Sequence, residues 1–301
     1  YNFLWIKGII NLIFAFNLLI ILLNNISIRI IKNLIKLRLT LSVVFSSFIS
    51  YFLAYSEVNF IQLFYLTIGG ILIVSSSNIF NQIIEKDLDK LMKRTKNRPL
   101  PKKEISQSLA MTIAIIFTII GLYFMYSINL KVAILSAVSV FLYVALYTPL
   151  KLITPLSVFV GAIPGAFPIM IGWVAATNNL GVEAITLFLM QFFWQFPHFW
   201  SIGWSQSMDY EKAGFKMLPT GKKDKSTAAQ ILFYSIWSVL ITVIPFFGIT
   251  GNLKLSIIGL LIVIILGVIL VQKAYLLFVY EKNQNANSLM ITSIVYLTLV
   301  Q

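Results

Sequence analysis

From Ile26 onward the chain returns repeatedly to apolar runs, at roughly 34 to 55, 60 to 84, 106 to 126, 130 to 147, 152 to 176, 183 to 205, 228 to 250, 255 to 280 and 287 to 301. About twenty predominantly apolar residues is the length of helix that crosses the hydrocarbon core of a bilayer. Nine such runs predict an all-α polytopic membrane protein. A composition of 59% hydrophobic and 11% charged residues, with a mean hydropathy of +0.90, excludes an ordinary soluble domain. A further run over residues 1 to 23 carries Lys7 midway and lacks the basic start and small-residue cleavage site of a signal peptide. It is expected to be an extra span, so the chain divides into residues 1–25 and a membrane domain over 26–301. The last apolar run ends at Gln301, and its helix is expected to be truncated.

The formal net charge is +13, but the basic residues occupy alternate connectors rather than one soluble face, which argues against nucleic acid as a partner. Arg29, Lys32, Lys36 and Arg38 precede the first run. The loop over 86 to 103, Lys151, the stretch from Lys212 to Lys225, and Lys282 follow on the same side. The opposite connectors hold little beyond Glu57, Lys131, Glu183 and Lys254. The positive-inside rule makes the basic side cytoplasmic. The two rich loops, 85 to 105 and 206 to 227, therefore share one face. Each closes on Leu-Pro followed by lysines (Leu100-Pro101 and Leu218-Pro219), a weak internal repeat that suggests two half-bundles over one cavity.

The stretch from Ser75 to Pro101 departs most from membrane filler. Asn81, Glu85 and Asp89 stand at i, i+4 and i+8, on one helical stripe. Asp87, Arg94 and Arg98 follow, and the helix is expected to run through Met92 and halt before Pro99. A solvated helix end, with Asp89 paired to Lys93, is the plain alternative. Against it, the stripe continues into the apolar run through Asn78, and burying ionisable groups in a bilayer costs about 2.5–3.5 kcal/mol each. With no cysteine and a single histidine, a metal must rest largely on oxygen ligands. Mg²⁺ suits the stripe, since it takes one or two carboxylates plus substrate phosphates. Arg94 and Arg98 beside the acids suit the forked grip of guanidinium on phosphate. Lys151, one turn after Tyr147, adds a cation for which snorkelling is the competing explanation.

A second unusual stretch runs from Gln191 to Leu218. Gln191, Gln195 and His198 lie inside an aromatic-rich span, and Pro197 is expected to break the helix beside the histidine. A lone intramembrane histidine is a site candidate, with helix packing as its alternative. Asp209, at the exit, offers a second acidic station.

These residues resemble the UbiA-type intramembrane prenyltransferases, from about Ile35 to the end. The first signature resembles the family's N-x-x-x-D-x-x-x-D run continuing into R-T-x-x-R-P, here Asn81, Glu85, Asp89, Arg94, Thr95, Arg98 and Pro99. Tyr147, Thr148, Leu150 and Lys151 resemble its Y-T-x-L-K element, and GAIPGAFPIMIGW follows at 161 to 173. WQFPHFW at 194 to 200 and DYEKAGFKMLP at 209 to 219 resemble the haem-specific branch. Glu85 stands where Asp is usual, Gln82 replaces an acid or Asn, and Leu152 follows Lys151 where a second base is common.

The resemblance implies a nine-helix bundle around a central cavity and transfer of a farnesyl group from farnesyl diphosphate to a vinyl group of haem B, giving haem O. It implies Mg²⁺ on Asn81, Glu85, Asp89 and Asp209, with Glu85 and Asp89 catalytic. Diphosphate would be held by Arg94, Arg98, Tyr147, Lys151 and Lys216, and haem by His198 and Trp194, with His198 also catalytic. A haem A synthase is the implied partner protein, and the plasma membrane of a bacterium the implied location, ahead of the mitochondrial inner membrane. A quinone precursor or other aromatic acceptor is the alternative within the class. A secondary transporter is the alternative outside it, disfavoured because the acids cluster at helix ends rather than midplane breaks.

Overall fold

The polar residues between the apolar runs start the helices. Asn59, Ser106, Asn129, Asp224 and Ser256 each cap a helix, the side chain accepting from a backbone N–H of the first turn. A computed structural model describes residues 26–54 and 58–301; the expected extra span over 1–25 and the connector residue Glu57 lie outside the described residues. The helices are α1 (Ile28–Leu34), α2 (Leu37–Ala54), α3 (Phe60–Asp89), α4 (Gln107–Ile128), α5 (Leu130–Phe141) and α6 (Thr148–Ile153). They continue as α7 (Ser157–Thr177), α8 (Val182–Ser205), α9 (Ser207–Lys212), α10 (Lys225–Val243), α11 (Ile257–Tyr280) and α12 (Asn283–Val300). A π-helical turn over Leu142–Tyr147 joins α5 to α6, and a 3₁₀ turn over Ile244–Phe247 extends α10. No strand occurs among the described residues.

Each apolar run from residue 34 onward coincides with a long helix. Among the described residues, seven are long and apolar enough to cross a membrane: α2, α3, α4, α5 through α6, α7, α10 with its extension, and α11. Helices α8 and α12 are of comparable length. Gln191, Gln195 and His198 lower the apolarity of α8, and the Asn-rich opening lowers that of α12.

Packing divides the helices into two groups joined at α7. Helices α2 through α5 pack in sequence, and α2 and α5 both pack on α7. Helix α8 packs on α7, α10 and α12, while α11 closes the second group against α10 and α12. Helix α7 is the central one, the most buried of the seven membrane-crossing helices. Gly172 makes this possible, since a Cβ there would collide with the backbone carbonyl of Ser47 on α2. The groups meet again where Gln301 accepts from Ser46 Oγ (3.1 Å) and donates to Gln191 Oε1 (2.7 Å). Helix α11 leaves Ile257, Ile258, Leu261, Ile265 and Val268 exposed, as a lipid-facing helix does.

Two local expectations fail. Pro197 does not break α8, which runs unbroken from Val182 to Ser205. Proline is tolerated inside membrane helices, and α7 likewise continues through Pro164 and Pro168. Helix α3 ends at Asp89, short of Met92 and well before Pro99. The buried Thr95 hydroxyl folds back and donates to the Asp89 carbonyl at 2.9 Å, satisfying a terminal acceptor and turning the chain.

Candidate active site

The last turns of α3 present Asn81, Glu85 and Asp89 on one buried stripe, 2%, 4% and 0% exposed. Each meets a cation. Arg98 Nη1 lies 2.7 Å from Asp89 Oδ2, Lys151 Nζ pairs with Glu85 Oε1, and Lys36 Nζ donates to Asn81 Oδ1 at 2.8 Å. Asn81 Nδ2 donates in turn to Thr148 Oγ1 at 3.3 Å. Asp89 pairs with Arg98 rather than with Lys93, the pairing of the plain alternative. Asp89 Oδ1 is buried and has no hydrogen-bond partner among the described residues. A bare buried carboxylate oxygen beside a second carboxylate and a side-chain amide is the oxygen-rich donor set a hard cation takes.

Each cation is delivered by a different piece of chain. Arg98 sits in a tight run of turns, where its N–H donates to Thr95 O (2.9 Å) and its carbonyl accepts from Lys102 N (3.1 Å), over the buried Met92, Leu100 and Ile105. Lys151 follows the π-helical turn, a feature frequent at functional sites. Its ammonium lies 4.7 Å from the centre of the Tyr147 ring and 5.2 Å from that of Phe215. Gly161 on α7 leaves the space that Tyr147 fills, since a Cβ would come within 2.5 Å of the ring. Lys36 occupies the α1–α2 turn with φ +49°, a left-handed conformation that costs a side-chain-bearing residue on the order of 1 kcal/mol or more. That turn is held by Asn78, which donates to Ile35 O (3.2 Å), and by Gln82, which donates to Leu34 O. Burial, reinforced by the charge of Arg98, lowers the Lys36 amine well below the ordinary lysine range.

The second rich loop lies against the first. Arg94 N donates to Asp209 Oδ2 at 3.3 Å, and its guanidinium lies over the Tyr210 ring at 5.9 Å. Lys93, Arg94, Asp209, Lys212 and Lys223 line an open cleft of about 480 Å³ at this mouth. Asp209 is thus at the rim. No three acidic or histidine side chains converge on one point among the described residues. Lys216 is not gathered with the acids either: its Nζ donates to Ile153 O at 3.0 Å and its backbone N to Lys151 O at 2.7 Å, bracing the segment that carries Lys151.

His198 and Trp194 form a separate station facing α12. Their rings stack at 4.7 Å and 16°. Trp194 Nε1 donates to Ser293 O at 2.6 Å, and His198 Nδ1 lies 2.9 Å from Ser293 Oγ. Gln195, on another face of α8, donates to Ala162 O of α7 at 2.9 Å. Sequence reasoning missed Lys36, Thr148 and Ser293. Thr148 lay within the Y-T-x-L-K element, without a role of its own. Lys36 looked like any basic residue before a span, and Ser293 like any small residue inside one.

The UbiA prenyltransferase family profile matches residues 43–298. A curated relative from Christiangramia forsetii, named protoheme IX farnesyltransferase, is 52% identical over 270 residues, covering 90% of this chain and 90% of the relative. A solved digeranylgeranylglyceryl phosphate synthase superposes with a TM-score of 0.76 at 17% identity, covering 90% of this chain and 95% of its own. A UbiA homologue from Archaeoglobus fulgidus bound to GPP and Mg²⁺ superposes at 0.68 with 14% identity, covering 90% and 98%. Profile, relative and fold agree, and the chain belongs to the UbiA prenyltransferase family.

Proposed function

We propose that the chain transfers a farnesyl group from farnesyl diphosphate to a vinyl group of haem B, giving haem O. The observation that carries the reaction class is the buried stripe of Asn81, Glu85 and Asp89, ringed by Lys36, Lys151 and Arg98. The acceptor rests on the 52% identity to a protein named for that reaction and on the WQFPHFW and DYEKAGFKMLP strings.

The buried charges are arranged for exchange. Asp89 pairs with Arg98 and Glu85 with Lys151, while Lys36 rests on the neutral Asn81 amide, and a bound diphosphate gives the two paired cations a better anion. Arg98 and Lys151 then turn toward phosphate oxygens, freeing Asp89 and Glu85. Those carboxylates, with Asn81 assisting and Asp209 from the rim, would hold Mg²⁺, which when bound supplies positive charge shared between carboxylates and diphosphate. Lys36, Lys151, Arg98 and Arg94 stabilise the negative charge that grows as the farnesyl C1–O bond breaks and its electron pair leaves on diphosphate. The rings of Tyr143 and Tyr147, 5.2 Å apart, offer π faces to the allylic cation. The cation adds to the terminal vinyl carbon. The inner vinyl carbon, now cationic, takes the oxygen of water, and the water's proton is released. Lys216 acts by fixing the Lys151 segment. His198 and Trp194 would meet the haem.

Residues 26–301 act in this reading as one membrane domain in a bacterial plasma membrane, with both rich loops cytoplasmic. The test is the mass of the product formed by purified protein from haem B and farnesyl diphosphate. Haem B plus one farnesyl and one hydroxyl is expected. Unreacted haem B, alongside prenylation of a quinone precursor, would overturn the acceptor assignment.

A further inference from the structure

His198 is the one histidine in the sequence, and its surroundings determine which ring nitrogen carries the proton. Nδ1 lies 2.9 Å from Ser293 Oγ. A serine hydroxyl has one proton to give and two lone pairs to receive. The Met290 carbonyl, on the same helix, accepts from Ser293 Oγ at 2.7 Å and also lies within hydrogen-bonding reach of the His198 ring. With its proton on Met290 O the hydroxyl faces His198 as an acceptor, an arrangement that places the proton of a neutral imidazole on Nδ1. Nε2 keeps the bare lone pair.

The arrangement is held from several directions. The imidazole stacks on Trp194, four residues earlier on α8. Trp194 Nε1 donates to the carbonyl of that same Ser293. One fully buried serine on α12 thus fixes both side chains of the pair, while His198 itself stays partly exposed.

We propose that Ser293 is a positioning residue that locks His198 in the Nδ1–H tautomer and so dedicates Nε2 to the haem substrate, as ligand to its iron or as acceptor of the proton lost by the adding water. This rests on the haem reading above. The hydrogen bond at the far ring nitrogen sets orientation and raises the basicity of the working one, a relation whose loss typically costs 10–100-fold in affinity or activity.

Because there is one histidine, ¹⁵N-histidine labelling of the full chain in nanodiscs yields a single imidazole spectrum. Without any substrate, a protonated Nδ1 and an unprotonated Nε2 are expected. An Nε2–H tautomer in the wild type overturns the proposal. Ser293→Ala should lose the single tautomer and lower kcat/KM for haem about ten-fold, with the KM for farnesyl diphosphate unchanged. Ser293→Thr should restore both. An alanine variant with wild-type tautomer and haem kinetics overturns the proposal. Should the alanine variant fail to fold, the wild-type spectrum and the threonine variant decide, and loss of the single tautomer in Ser293→Thr counts against it. If the tautomer is as expected but no haem O forms, the haem reading falls and the lock between Ser293 and His198 stands.

Discussion

Asp89 carries one oxygen on Arg98 and one that is bare, both fully buried. A buried charged oxygen without a partner costs on the order of 1–3 kcal/mol or more, so a packing role would be a poor use of it. Asp89→Asn is expected to lower kcat at least ~100-fold, the scale for removing a preorganised electrostatic contact, while gel filtration in detergent shows a folded protein. EDTA should arrest the wild type and Mg²⁺ restore it; full activity in metal-free buffer would sink the assignment. Glu85→Asp should be far milder. It keeps the charge opposite Lys151, shortens only the reach, and restores the residue usual in the family.

Elements with their own start signals can be tested one at a time. Asp224 caps α10, accepting from Thr227 N at 2.8 Å and from the Thr220 hydroxyl. The backbone bond to Thr227 holds its carboxyl below the usual range. Since the folded value is the lower one, the stabilisation is complete above the unfolded carboxyl value of about 3.9 and fades as pH falls through the folded one. Asp224→Ala should lower the melting temperature at pH 7, by the equivalent of about 1 kcal/mol for a lost cap, and the difference from wild type should shrink in acid. An unchanged melting temperature would refute the cap. Such features were legible because they are local. The 60 to 84 run became α3 over 60–89, and the i, i+4, i+8 stripe needed only helical geometry to share a face. Partnerships between distant segments were not legible. Lys36 reaches Asn81 only through a left-handed turn pinned by Asn78 and Gln82. Ser293 acquires its meaning from α8, ninety-five residues away. Pro197 misled because a rule for helices in water was applied inside a membrane helix, where proline is tolerated. The π-helical turn beside Lys151 had no composition signature to betray it.

The two groups of helices meet at α7, through Gln301, and through the contact of Arg94 with Asp209 and Tyr210. The last of these requires both rich loops to lie on one side of the membrane. The sequence has no cysteine, so single thiols at Lys96→Cys and Lys223→Cys report without background. Both should react with an impermeant maleimide only when the cytoplasmic face is open, and labelling from opposite faces would dismantle the site. The pairing of Glu85 with Lys151 also bears on how the protein is made. Asp89 meets Arg98 within the same loop, as soon as that loop leaves the ribosome. Glu85 must wait while α4 and α5 are synthesised, on the order of seconds at 5–20 residues per second. During that interval Glu85 has only the more distant charge of Lys36, which leaves the ribosome before it, and not its ion-pair partner. The ion pair of Glu85 with Lys151 therefore closes later than that of Asp89 with Arg98, so the buried stripe of α3 is completed only once α6 has been made.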